Sequence, residues 1–243
     1  MVKLSNGTYM PLDPTWVPFC RELWSSAEQQ QNYLPGVPEG SDLCITPVSA
    51  PENHYVRIKA DNRLDADGTL RGTFTLTAEG QSDSNIRRIF TTGFRSEWKN
   101  TMESQLLAIS PKAKLLSVDY GKNPKDYQAA PIKITFRYEI PDYALKGEKE
   151  MFFRPLVMNN LYNQVRSYLR IDTSLKERKY GFKDGCSRLV ELDETIQLPA
   201  GYKLANADKN ETMQGTGADF EGSLAQQGNK VLLHNKLALK KRV

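Results

Sequence analysis

Histidine and cysteine are scarce in this chain of 243 residues, which holds two histidines, His54 and His234, and three cysteines, Cys20, Cys44 and Cys186. That scarcity removes whole classes of chemistry. Nucleophilic catalysis needs a thiol or hydroxyl within reach of a base, and a third group to orient that base. His54 falls on or just before a strand, after a proline-containing linker, and His234 falls within a C-terminal strand. No order of Cys before a helix, His on a strand and Asp on a strand can be assembled from these residues. The plainer reading is two surface or half-buried imidazoles without a ligand. Three cysteines form neither a disulfide framework nor a zinc spacing, so no metal and no cofactor is expected. An oxidising compartment would permit a Cys20–Cys44 bridge and leave Cys186 unbridged; three buried or inert thiols is the simpler account.

Long apolar runs are also missing. None approaches the ~20 residues that a membrane helix requires, so no membrane span is expected. Met1-Val2-Lys3 leads straight into a strand with no signal peptide. Neither sign of charge dominates: the net charge is +4, with 39% hydrophobic and 26% charged residues and a mean hydropathy of −0.56. This is a globular composition, large enough for one sizeable domain or two small ones. The only basic run, Lys240-Lys241-Arg242, reads as a solvated end. With no aromatic stacking pattern beside it, it makes no nucleic-acid site. Oligomeric state is left open by these patterns.

What the sequence does have is period-two alternation. Val56, Ile58, Ala60, Asn62 and Leu64 alternate with charged residues, Asp65-Ala66-Asp67-Gly68 turns the chain, and Leu70, Gly72, Phe74, Leu76 and Ala78 alternate with Arg71 and threonines. This predicts an antiparallel hairpin with one face to a core and one to water. Further strands are expected at 114–119, 132–140, 150–154, 188–198, 203–207, 218–226 and 230–240. Helical patches are expected around Ile86, Ile89, Phe90 and Phe94, with Gly93 as a stop, and around Trp98, Met102 and Leu106, with a short helix over 159–167 and a helix or ordered cover over 18–31. Arg87 and Arg88 read as the solvated side of the first helix, and Tyr55 and Tyr138 as exposed aromatics on strands, where cross-strand packing is the common use. Ser49-Ala50-Pro51-Glu52-Asn53 is the best linker. The expected architecture is mainly β: an antiparallel β-sandwich with a few short helices over residues 53–243, preceded by a smaller unit over 1–52.

The chain opens on Val2-Lys3-Leu4-Ser5-Asn6-Gly7-Thr8-Tyr9-Met10-Pro11-Leu12-Asp13-Pro14-Thr15-Trp16. This reads as a hairpin about an Asn-Gly turn that ends in Asp-Pro-Thr. The segment resembles the end of the α+β, papain-like catalytic core of the transglutaminase-like cysteine-protease superfamily. Asp-Pro-Thr is by itself also an ordinary turn or cap. Taken with Leu70-Arg71-Gly72-Thr73-Phe74, Asn85-Ile86-Arg87-Arg88 and Leu198-Pro199-Ala200-Gly201-Tyr202, the chain is similar to large proteins of Bacteroidetes-type bacteria. In those proteins a β-rich domain of uncharacterised function follows a transglutaminase-like core. The resemblance implies that Asp13 is the third member of a Cys-His-Asp triad whose Cys and His lie upstream of Met1. It implies a periplasmic or secreted parent acting on protein or peptide substrates, and a chain that is inactive alone. A carboxylate can orient an imidazole but cannot itself attack a carbonyl. The competing expectation is a binding or adhesion module for glycan or protein with no catalytic role.

Overall fold

The computed structural model describes residues 1–13, 15, 22, 24, 26–157, 176–177, 179–180, 185–206 and 208–242. Two short hairpins come first: β1 (Val2–Lys3) with β2 (Tyr9–Met10), and β3 (Asn32–Tyr33) with β4 (Cys44–Ile45). The rest is built on β5 (Tyr55–Leu64), β6 (Leu70–Ala78), α1 (Gly80–Thr91), α2 (Trp98–Leu107), β7 (Lys114–Asp119) and β8 (Ile132–Ile140). There follow a small hairpin of β9 (Leu145–Lys146) and β10 (Met151–Phe152), then β11 (Arg188–Gln197), β12 (Lys209–Gln214), β13 (Ala218–Gln227) and β14 (Lys230–Leu239).

Eight strands make one sheet in the order β12-β13-β14-β11-β5-β6-β8-β7. Mainly β is therefore the observed class. Every junction is antiparallel but one: β11 lies parallel to β5, with Val190 opposite Val56 and Ile196 opposite Asn62. A parallel pair requires a long crossover, and everything between β5 and β11 supplies it. The sheet is thus mixed where a wholly antiparallel one was expected. Where a sandwich would place a second sheet, helices form the covering layer among the described residues: α1 packs on β5, β6 and β8, and α2 packs on β7. Helices serve because the alternation of β5, β6, β8 and β11 demands an apolar cover without specifying its kind.

Alternation decides the two faces. Ile58, Phe74, Ile134, Phe136, Val190 and Leu192 are buried on one side, with Phe74 and Phe136 opposite each other and stacked at 4.4 Å. Arg57, Lys59, Arg137 and Glu191 lie on the other side. Trp98, Met102 and Leu106 recur at four-residue spacing and are all buried. Phe90, Trp98 and Tyr120 form an edge-to-face trio with centroids 5.1–5.7 Å apart, which locks both helices to the end of β7. Phe94 lies beyond α1 and is exposed, so the apolar stripe of that helix ends at Phe90.

Other expectations also shift. Residues 203–206 are irregular: the Leu204 N–H is taken by the Gln226 side chain at 2.7 Å instead of a strand partner. The edge strand falls later, at β12, and the strand expected over 150–154 contracts to β10. Within 18–31 the described regular element is a 3₁₀ turn at Ser26–Glu28, and the helix expected over 159–167 lies outside the described residues. The basic tail is not simply solvated. Lys240 pairs with Asp219 at 2.8 Å, while Arg242 donates to the carbonyls of Ala27 and Gln29 and, through its backbone, to Gln30 Oε1.

Gly72 lies between Asn62 and Tyr138 in register. Without a side chain there, the Tyr138 hydroxyl reaches across a whole strand to donate to Asn62 Oδ1. A Cβ at this position would collide with Asn62 Oδ1 and lie 2.6 Å from the Asp61 carbonyl oxygen. Gly72→Ala should therefore lower stability by about 2 kcal/mol, as overpacking does. Urea denaturation checks this, and an unchanged midpoint would mean that Asn62 moves aside without cost.

Candidate functional site

Asp13 follows the β1–β2 hairpin and is half-buried. Its Oδ1 accepts from the Thr15 N–H at 2.9 Å and from the Thr15 hydroxyl at 2.6 Å. These bonds hold its carboxyl below the ordinary carboxylate value. They form a local turn about residues 13–15 of the kind Asp commonly makes. Oδ2 has no partner among the described residues. His54 and His234 lie in the eight-stranded unit, and neither hydrogen-bonds Asp13.

A second constellation was not visible in the sequence. His54 is fully buried, not at the surface, and both ring nitrogens are engaged. Nδ1 accepts the backbone N–H of Gln81 at 3.1 Å, which caps the first turn of α1. Nε2 therefore carries the proton of the neutral ring and faces Ser49 Oγ at 2.9 Å, with Glu22 Oε2 at 3.5 Å. The Ser49 hydroxyl donates to that Glu22 oxygen. Gly80, at φ +62°, lies so close to His54 Nδ1 and the Asn53 carbonyl that no Cβ fits. The Ser82 hydroxyl donates to the His54 carbonyl and the Ser187 hydroxyl to the Ser49 carbonyl, drawing α1 and the start of β11 into the same knot.

Serine, histidine and glutamate together suggest a hydrolytic triad, but the hydrogen-bond directions run the wrong way. A triad imidazole offers a lone pair to the nucleophile and its N–H to the acid. Here the lone pair is occupied by a backbone amide, and serine and carboxylate share the one N–H. With Ser49 2% exposed and His54 0% exposed, no substrate reaches them. The arrangement joins segments 22–54, α1 and β11.

Two more buried charges organise the unit. Glu194 on β11 is 1% exposed. It accepts from Asn62 Nδ2 at 2.8 Å and from the N–H groups of Leu156 and Val157 at 3.0 and 2.9 Å. Burial, with the Glu194 charge nearby, pushes the Tyr138 hydroxyl well above its ordinary value. Arg87 is 2% exposed, against the expectation of a solvated face. Its Nε donates to Asp83 at 2.6 Å, and its terminal nitrogens donate to the carbonyls of Pro124, Asp126 and Ala130. Asp83 in turn accepts the Ile132 N–H at 2.7 Å. Arg88 alone points to solvent.

Tyr55 and Tyr138, expected as exposed aromatics, are buried, Tyr55 beneath the Arg57 guanidinium at 4.2 Å. His234 is half-buried and bonds Asp193 through Nδ1 at 2.8 Å. Cys44 and Cys186 are in no disulfide, and Cys20 lies outside the described residues. Among the described residues no group of three His, Cys, Asp or Glu is placed to hold a metal. No helix among them is long and apolar enough to cross a membrane.

Two outcomes are expected. Arg87→Ala leaves Asp83 charged and buried, and should cost about 3–5 kcal/mol. Arg88→Ala should stay within about 0.5 kcal/mol; chemical denaturation of both separates them. Burial alone would raise the Glu22 carboxyl, but hydrogen bonds from His54 and Ser49 outweigh it, holding the group below its ordinary 4.5. The unfolded chain then takes up that proton first. Stability from Glu22 is full above the ordinary value and is lost as pH falls through the lower folded value. Glu22→Gln should remove this part of the acid-side decline, read as the difference between the two Tm–pH curves.

Residues 149–243 match a family model described as a domain of unknown function with a solved structure (DUF3858). The matched span contains β10 to β14 and with them Glu194, Asp193 and His234. No curated protein matches the chain, and no solved structure matches it.

Proposed function

We propose that this chain is the non-catalytic C-terminal portion of an exported transglutaminase-like cysteine peptidase, in which residues 1–52 abut the catalytic core and the β-rich unit supports it or places a peptide substrate. The observation that carries the reading is where apolar surface is left uncovered. Leu34, Leu43 and Ile45 are 66%, 69% and 68% exposed, and Val2, Leu4 and Val48 join them. Residues 55–140, by contrast, bury an extensive apolar core. These six exposed apolar side chains all fall within residues 2–48, and a surface of that kind is one that another domain can cover. The resemblance of the Asp13 segment to the end of a transglutaminase-like core identifies that core as the cover. The Oδ2 atom of Asp13 is then available to an imidazole, while Thr15 fixes Oδ1.

The test uses a polypeptide extended upstream to include the thiol and imidazole of the resemblance. Asp13→Ala should lower kcat by about 10⁴-fold, the scale on which a triad acid acts, while Asp13→Asn should retain the turn but not the rate. Full activity in either variant removes Asp13 from the mechanism, and peptide hydrolysis by the 243-residue chain alone overturns the proposal.

A second reading, a binding module for glycan or protein, is favoured by the outer face of the sheet. Lys59, Thr75, Thr135 and Arg137 lie there on three adjacent strands, and neither Lys59 nor Arg137 has an ion-pair partner among the described residues. Specific retention on a glycan or peptide array, lost in Lys59→Ala/Arg137→Ala, would support this reading over the first.

A further inference from the structure

We propose that the cleft between residues 149–155 and 198–205 binds an anionic amphiphile, a hydrocarbon chain ending in one carboxylate. The argument begins with what covers the sheet. Helices α1 and α2 lie over β5 to β8, and the apolar face continues onto β14 and β13 without them. There the cover among the described residues is β10 with the residues that flank it and the irregular segment 198–205, which leave a cleft of about 750 Å³. That volume lies within the roughly 300–1,000 Å³ of ligand pockets. Leu224, Val231 and Leu233 form its floor, and Phe153, Tyr202 and Leu204 its walls. Of these six, only Val231 is fully buried; the others pack on the core with part of each side chain open to the cleft.

The walls are fixed in advance. Leu198 N–H donates to the Asn229 carbonyl at 2.7 Å, Tyr202 N–H to the Pro199 carbonyl at 3.2 Å, and Leu204 N–H to Gln226 Oε1 at 2.7 Å. Opposite them, the Tyr143 hydroxyl donates to the Arg154 carbonyl at 2.6 Å and Glu194 anchors residues 156 and 157. A ligand entering such a cleft orders little of the protein, so most of its apolar burial appears as affinity. The same bonds argue for a hydrocarbon over a peptide. A peptide brings a donor and an acceptor for every residue, and the amides of Leu198, Tyr202 and Leu204 are already committed.

The mouth supplies the sign of the head group. Lys149 and Lys203 lie on the rim, exposed and without an ion-pair partner among the described residues, against the single carboxylate of Glu150. Two ammonium groups above an apolar body match a carboxylate on a hydrocarbon chain. The cleft belongs almost wholly to the span matched by the family of unknown function, Leu64 being its contribution from outside.

Isothermal titration of the full chain with dodecanoate below its micellar concentration, and separately with dodecanol below its solubility limit, tests this. One dodecanoate should bind per chain with Kd on the order of 10 μM. Ala200→Trp, at an exposed position in the wall, should fill the cleft and weaken both ligands about tenfold or more with Tm unchanged. Lys149→Glu/Lys203→Glu should weaken dodecanoate by about tenfold and leave dodecanol within about twofold. Absence of saturable dodecanoate binding below about 1 mM would overturn the proposal. So would binding that survives both variants, equal loss of dodecanol on charge reversal, or displacement of dodecanoate by an apolar peptide at lower concentration.

Discussion

The carboxylate of Glu194 lies within the apolar face of the sheet, and the groups it accepts from hold the molecule's two halves together. One half is β5 to β8 with its helices, the other β11 to β14. Within the sheet, among the described residues, they are joined at the parallel junction of β11 with β5. Asn62 donates across that junction to Glu194, and on the opposite face the Arg57–Glu191 pair spans it at 2.7 Å. A buried carboxylate is tolerated when hydrogen bonds to its oxygens replace the water it gave up, and here an amide and two backbone N–H groups do so. Because two of those donors belong to Leu156 and Val157, the same charge also fixes where the chain arrives after the β9–β10 hairpin. The β5–β11 junction and the placement of residues 156 and 157 beside the cleft are both tied to it.

The joints at the base of the sheet share this logic. His54 holds α1 by a ring nitrogen, and Arg87 holds the 124–130 loop by three carbonyls. Each is a polar side chain removed from water to secure backbone that has no strand partner. Such residues attract catalytic readings because they are buried, charged and close together. Hydrogen-bond direction separates them from catalysts: every lone pair or N–H that chemistry would need is already spent on the chain itself.

Much of the sheet was legible in the sequence. In β5, β6, β8 and β11 the even positions are apolar except for Asn62, Arg188 and Glu194, and it is the even positions that are buried most. Periodicity reports that a face is covered, but not by what or beside which strand. The parallel junction and the helical cover were therefore beyond it. β12, exposed along its whole length, has no pattern to read. Arg87, His54 and Tyr138 looked like surface residues because each is satisfied by partners many positions away: the carbonyls of 124–130, the amide of 81, the side chain of 62. The turn at Asp13 was legible for the opposite reason, since among the described residues its bonds reach two positions along the chain.

The bridge from Tyr138 to Asn62 passes over the empty site of Gly72, so three positions on three strands share one volume. None of them is free to diverge alone. Any side chain at 72 requires a shorter neighbour at 62, and a shorter residue at 138 leaves an amide oxygen stranded. In descendants of this sequence the three should be inherited as a set or exchanged together.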